Sequence, residues 1–351
     1  MSFRITTNGM FRSYRANLTK STKNLNDAMT RLQTQRNFNS YAEDPATANR
    51  AFQLRRSYWN TGNQIDNSNY LISKFQSGWD SLKSIIGGDV DNPGLDGIIE
   101  SLRGITGTAG AGRTSLGQTL ISTADAIVSA MNVRYGDEYV FAGADGLNPP
   151  FSWDDDGNLL YRGVDVNDKD AILELNELDK RVALVDIGLG FRLQEDEDGN
   201  LTVINPATAY DSSISGAEIL GYGVDADGDS LNMVSLMREL GEIFQRCDPN
   251  SGGYDSVEDQ QRAEILVGKL RASIGRVQEQ HVKLDGRSTY LIKNLDQLKD
   301  NKLNINEEIE RVETIDMAVA IEDMMWAQYS YNAALQIGTK VLSQSLFDYF
   351  G

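Results

Sequence analysis

Cysteine and histidine are nearly absent from this 351-residue sequence: one of each, Cys247 and His281. A single cysteine cannot close an intramolecular disulfide, so no redox compartment is declared. A single histidine removes Ser-His-Asp and Cys-His nucleophile systems and multi-histidine metal sites together. Proline is scarce, with six residues, which leaves room for long unbroken helices. No run of 18 apolar residues occurs, so no membrane span is expected. Residues 1–15 carry charge but no apolar core segment, so no cleavable secretory signal is predicted.

Charge is plentiful and uneven. The total is −18, yet residues 1–60 hold ten Lys/Arg against three Asp/Glu, a net of +7. Residues 137–229 hold five against twenty-two, a net of −17. The basic arm and the acidic middle are therefore expected to be separate structural units. An acidic middle is a poor match for phosphate, and no nucleic-acid partner is predicted.

The strongest pattern lies in the last quarter. From Ile274 to Val319 the heptad seam reads Ile274, Val277, His281, Leu284, Ser288, Leu291, Leu295, Leu298, Lys302, Ile305, Ile309, Val312, Asp316 and Val319, apolar at ten of fourteen positions. A sustained 3.5-residue repeat predicts a left-handed coiled coil, because so narrow a seam needs a partner helix to bury it. At 1.5 Å per residue the stretch spans roughly 69 Å. His281 falls on the seam and reads as a core or register-setting residue.

A partner is available near the other end. Residues 13–36 predict a helix, with Leu18, Leu25, Met29 and Leu32 on one stripe. Ser40 and Glu43 have capping-box spacing, and Asp44 before Pro45 reads as an N-cap followed by proline at the first helical position. The helix that starts there places Ala48, Phe52, Tyr58, Ile65, Ile72, Phe75, Trp79, Leu82 and Ile86 on a second seam, broken by Gly87–Gly94. Shorter helices are expected at 95–105 and 116–134.

From Gly136 the texture becomes β-prone. Short segments at 138–142, 159–162, 171–175, 181–187 and 201–204 alternate with Gly, Asp and Asn clusters. Helical texture returns at 231–246 and, after a loop at 248–253, at 257–276. The expected fold class is α+β: long antiparallel coiled-coil helices from the two chain ends, with a small β-rich domain inserted in the middle.

Candidate chemistry is thin. Three tracts, Asp154–Asn158, Asp196–Asn200 and Asp225–Asp229, resemble calcium loops. With the glycine at loop position 6, position 1 is Ser152, Gln194 or Gly223, and position 12 is Gly163, Asn205 or Val234, so all three fail the EF-hand pattern. Asp-Gly and Gly-Asn also make hairpin turns, the reading preferred here. Gly107–Thr114 has a phosphate-loop outline with Arg113 in the lysine position, but the residues before it predict a helix rather than a buried strand. Asn17 and Asn200 sit in glycosylation sequons, a pattern short enough to arise by chance. No catalytic, cofactor or metal site is predicted, and the chain is not expected to be an enzyme.

Specific residues carry a family resemblance. Arg4-Ile-Thr-Thr-Asn8 resembles a flagellin-family amino terminus. Glu43-Asp44-Pro45-Ala46 is similar to that family's Asp-Asp-Pro-Ala motif, with Glu for the first Asp. Asp285-Gly286-Arg287, Leu291 and Asn294-Leu295 resemble its Gly-Ala-Arg…Asn-Leu segment. Tyr139–Gly143, Pro150-Phe151, Tyr161-Arg-Gly163 and the ending Leu342–Tyr349 are closer to the family's hook–filament junction members than to filament flagellin.

The resemblance implies a structural protein of the bacterial flagellum, linking a preceding hook-associated protein to flagellin within a ring of identical subunits. It implies export unfolded through the flagellar type III apparatus with an export chaperone, and an extracellular place at the junction. It also implies layers: residues 1–44 and 316–351 innermost, 45–136 and 231–315 as a helical rod, and 137–230 as the acidic insert. The assembly residues expected on the terminal stripes are Phe3, Ile5, Met10, Phe11, Leu18 and Leu25, with Met324, Met325, Leu335, Leu342, Leu346 and Phe350. Filament flagellin, or an acidic metal-binding surface enzyme on a helical stalk, are the alternatives.

Overall fold

The computed structural model of the chain describes residues 7–87, 94–105, 112–195 and 201–350. They divide into two units, Met1–Gly62 with Lys299–Gly351, and Asn63–Leu298. The helices are α1 (Thr7–Thr34), α2 (Pro45–Gly87), α3 (Leu95–Ile105), α4 (Arg113–Met131), α5 (Ile172–Lys180), α6 (Gly216–Leu220), α7 (Met233–Gln245), α8 (Val257–Glu313) and α9 (Met317–Phe350). Between α4 and α7 run short strands: β1 (Arg134–Tyr135), β2 (Glu138–Tyr139), β3 (Phe151–Trp153), β4 (Leu159–Tyr161), β5 (Val164–Asp165), β6 (Leu184–Val185), β7 (Leu193–Glu195), β8 (Leu201–Val203) and β9 (Tyr210–Asp211). Long helices with small antiparallel sheets make the chain α+β, as the sequence predicts.

α2 starts where Asp44 and Pro45 predict. The Asp44 carboxylate accepts hydrogen bonds from the Thr47 amide at 3.1 Å and the Thr47 hydroxyl at 2.5 Å, satisfying an amide of the first turn. α2 and α8 pair antiparallel. In the first unit Arg50 pairs with Glu308, and the Lys302 ammonium lies 4.7 Å from the Tyr58 ring centroid. In the second unit Trp79 stacks on His281 at 4.8 Å between centroids. The heptad seam of α8 is buried or half-buried from Ile274 through Val312, so its long pairing partner is the helix the sequence offered.

Three expectations are corrected. The seam does not run on to Val319: the chain leaves the helix after Glu313, Thr314 bridges to Arg36, and Val319 is exposed. Asp316, placed on the seam by counting, instead accepts the Ala318 amide at 2.8 Å and caps α9, the role a short carboxylate fills best. Phe52 is 67% exposed because Ala51 takes the inward position in that turn of α2. The segment 171–175 is the start of α5 and not a strand. Its extension through Lys180 buries Leu175 and Leu178 three residues apart, a helical spacing that five residues are too few to display.

The second unit carries the large core. Leu95, Ile98 and Leu102 of α3, Leu120 and Ile127 of α4, Leu240 and Phe244 of α7, and Leu266, Leu270 and Ile274 of α8 are all buried in one cluster with Phe75 and Leu82 of α2. α4 and α7 cross backbone to backbone: a Cβ on Gly117 would lie 2.6 Å from the Gly241 carbonyl oxygen, and one on Gly241 2.9 Å from that of Gly117. The strands form a β1–β2 hairpin, the three-stranded sheet β3-β4-β5, the pair β6–β9 and the hairpin β7–β8, all antiparallel. Phe151 of β3, Tyr161 of β4 and Ile187 just after β6 are buried in that same cluster, whereas the β7–β8 hairpin is largely exposed. Lys74, itself buried, donates to Glu138 at 2.9 Å. This hydrogen bond holds the Glu138 carboxyl below its ordinary range, and burial followed by the nearby Glu138 charge pushes the Tyr70 phenol up to about 12.

Candidate assembly surface

The terminal helices α1 and α9 belong to the first unit and pack against each other antiparallel: Tyr14 meets Gly338, while Asp27, Ala28 and Arg31 share a groove with Ala320, Asp323 and Ala327. From Phe11 onward the less exposed positions on α1 are Phe11, Tyr14, Leu18, Ser21, Leu25, Ala28 and Leu32, a strict alternation of three and four that makes one face. Its remaining surface is mainly polar and basic, with Arg12, Arg15, Lys20, Lys23 and Arg31 all exposed beside Met10 and Met29.

α9 turns a different kind of face inward. Its less exposed positions are Ala320, Met324, Ala327, Tyr331, Ala334 and Gly338, mostly small residues that let two helix axes approach closely. A Cβ on Gly338 would overlap the Tyr14 hydroxyl. Met324 and Tyr331 are the bulky members of that row, Val319 and Trp326 border the groove shared with α1, and many large apolar side chains stay in water. Met317, Val319, Ile321, Met325, Trp326, Tyr329, Leu335 and Ile337 are each exposed, Trp326 and Tyr329 at 64%. A helix that is apolar on its outer faces as well as its inner one requires cover on those sides too. Even so, no described helix is long and apolar enough to cross a membrane.

The predicted assembly residues therefore fall into three groups. Phe11, Leu18, Leu25 and Met324 are half-buried between α1 and α9. Met10, Met325 and Leu335 are exposed, at 44%, 47% and 39%. Phe3 and Ile5, and the side chains of Leu342, Leu346 and Phe350, lie outside the described residues. Sequence reasoning missed Trp326, Tyr329 and Ile337. The alanine and glycine ladder from Ala320 to Gly338 was the signal that would have found them, since it marks the contact face and so leaves the bulky residues outside.

The aspartate tracts resolve into turns where they are described. Asp154 accepts from the amides of Asp156 and Asn158 at 3.0 and 2.6 Å, closing the β3–β4 hairpin with Gly157 at φ +85°. Asp225 accepts from the amides of Asp227 and Asp229, both at 3.0 Å. The carboxylates of Asp225, Asp227 and Asp229 converge to within 4.8 Å, and two cations of α8 meet them. Lys269 bonds Asp229 and, at 2.5 Å, Asp225, and Arg262 lies 2.5 Å from Asp229. The hydrogen bond from Lys269 is the main cause that holds both Asp225 and Asp229 below the ordinary carboxylate range. Residues 196–200 of the middle tract and 107–111 of the glycine-rich loop lie outside the described residues.

No protein-family model matches the chain, and no curated protein does. Among solved structures it is similar to a Vibrio parahaemolyticus protein assigned as flagellar hook-associated, at 16% identity and TM-score 0.49, over 78% of this chain and 100% of that one. It is similar to flagellar hook-associated protein 3 of Legionella pneumophila at 12% identity and TM-score 0.46, over 74% and 98%. A flagellar junction protein, FlgL, from the same organism aligns at 14% identity and TM-score 0.40, over 69% and 98%. Identities this low and TM-scores below 0.5 leave the weight of any functional reading on this chain's own residues.

Proposed function

We propose that this chain is a structural, non-catalytic component of the bacterial flagellum, an adaptor at the hook–filament junction. In this reading identical copies form a ring between the preceding hook-associated protein and flagellin. Each copy reaches that extracellular site through the flagellar type III apparatus, accompanied by an export chaperone. The single observation that carries the reading is the set of exposed large apolar residues along α9, from Met317 to Ile337. A lone chain leaves them in water, and neighbouring helices would cover them. Each fully buried Leu, Met or aromatic side chain is worth on the order of 1.5–3 kcal/mol, so a few contacts per neighbour suffice to drive assembly. The terminal motifs and the Tyr139–Gly143 and Leu342–Tyr349 segments supply the reason to place the assembly in a flagellum rather than elsewhere. The layered arrangement follows: residues 1–44 and 316–351 innermost, 45–136 and 231–315 as the rod, and the acidic 137–230 solvated outside, where like charge keeps neighbouring inserts apart.

The test is complementation of a strain that lacks its own junction protein. Leu335→Asp or Leu342→Asp is expected to abolish swimming while the exported protein still accumulates in the medium. Leu173→Asp, at an equally apolar but insert-borne and 78% exposed position, is expected to swim normally. The opposite pattern would show that the working surface lies in the insert.

A further inference from the structure

The part of α2 that lies in the first unit, residues 45–62, carries three arginines and no acid. Arg50 is paired with Glu308, and Arg55 reaches Glu313 with two hydrogen bonds of 2.5 Å. Arg56 makes no ion pair or hydrogen bond among the described residues and is exposed. One turn to either side of it, on the same face, stand Phe52 and Trp59, 67% and 70% exposed. Positions 52, 56 and 59 follow the three-and-four spacing of one helix face, well away from the inward row of Ala51, Tyr58 and Thr61. An exposed arginine between two exposed large aromatics is the composition of an interface centre rather than of solvated surface.

A matching surface lies in the same unit. Residues 300–313 of α8 carry five acids and two bases. Glu308 and Glu313 are consumed by the two arginine pairs, which leaves Asp300, Glu307 and Glu310 on the outside. Leu303, 64% exposed, shares the three-and-four row of Glu307 and Glu310. Arg311 folds back onto the Glu307 carbonyl, and Glu310 accepts from Asn306 at 3.0 Å. So, among the described residues, one helix presents apolar residues around a cation without an ion pair, and the other an apolar residue beside carboxylates without one.

We infer that the Phe52–Arg56–Trp59 stripe of α2 docks on the Leu303–Glu307–Glu310 stripe of α8 in a second copy of this chain. The proposal rests on the reading of the chain as a ring-forming subunit, and adds which surfaces meet. Both stripes belong to every copy and they differ, so one copy's α2 stripe can engage the next copy's α8 stripe head-to-tail, the arrangement that the ring reading requires. Opposite charge steers the encounter and sets its register, while the aromatics and Leu303 supply apolar burial.

The experiment follows self-association of the purified full chain by sedimentation velocity at low ionic strength, with helicity checked by circular dichroism. Arg56→Glu is expected to weaken association about tenfold, and Glu307→Arg with Glu310→Arg by a similar factor. The three changes combined are expected to restore it to near the wild-type value. A photo-crosslinking residue at position 59 is expected to capture residues 299–313 of a second copy. Arg56→Glu indistinguishable from wild type, or a combined variant no better than either parent, overturns the proposal. Leu335→Asp run in parallel keeps the two ideas apart. If it abolishes association while Arg56→Glu has no effect, only the α2–α8 docking falls; if it too has no effect, the terminal-helix reading falls with it.

Discussion

Two helix pairings in this protein use small residues at their closest approach, yet they end differently. Where α4 crosses α7, Gly117 and Gly241 bring the backbones together, and Leu116, Leu120, Ile243 and Phe244 beside them are buried. Where α1 meets α9, Gly338 and three alanines make the approach, and Trp326, Tyr329, Leu335 and Ile337 are left outside. The first pairing buries its own apolar surface. The second seats Gly338 against the Tyr14 side chain and leaves its large apolar residues exposed. Small residues at a seam therefore set the distance between helices, and the position of the bulky ones shows whether the surface is complete within one chain.

Filling the α4–α7 crossing should produce the largest effect on the isolated chain. Gly117→Leu must displace the Gly241 carbonyl and is expected to cost about 3 kcal/mol, seen as a lower urea midpoint with little change of slope. The α1–α9 side should answer in the opposite way. Trp326→Asp is expected to leave that midpoint within about 0.5 kcal/mol of wild type, as an exposed site should, while removing self-association by sedimentation. A large loss of monomer stability from Trp326→Asp would erase the distinction between the two pairings.

Smaller effects sharpen the contrast inside the second unit. Lys74→Ala deprives Glu138 of its cation, and because Glu138 stays half-exposed the expected loss is about 1–2 kcal/mol, measured by thermal or urea unfolding. Acid should act on the same pair and on the Asp225–Asp229 turn. The folded carboxyls of Glu138, Asp225 and Asp229 lie below their unfolded values of 4.5, 3.8 and 3.8. Their contribution is therefore complete above those values and is lost as pH falls through the lower, folded ones. Lys269→Met should flatten that acid limb, which a pH series of unfolding midpoints would detect. The least effect is expected from calcium: millimolar calcium should leave the melting temperature unchanged, since Lys269 and Arg262 already meet the carboxylates. A saturable gain of about 2 kcal/mol or more would indicate binding.

Much of this was legible in the sequence for a definite reason. The α8 seam, the start of α2 at Pro45 and the Asp-Gly turn between β3 and β4 depend on spacing and on local hydrogen bonds. Residues a few positions apart write these directly into the chain. The α5 helix and the break before α9 were less visible. Helix and strand compete evenly over five residues, and Asp316 lies in phase with a seam that it in fact interrupts. Phe52 shows the same limit: a phenylalanine on a plausible row was assigned inward, while the neighbouring alanine is what fits.

By itself, the sequence determined that this chain is mostly long helix with a small-stranded acidic middle, and that its two ends must pair. Periodicity and charge follow from covalent order and need no partner to be read. Which face of α9 meets α1, and hence which residues remain for neighbours, was decided only in three dimensions. An apolar helix offers several faces of similar hydrophobicity, and close approach to Tyr14 selects the one lined with alanine and glycine. The tertiary fold likewise decided that Arg50 and Arg55 find acids within the chain while Arg56 meets none among the described residues, because an ion pair depends on where two helices lie and not on their composition.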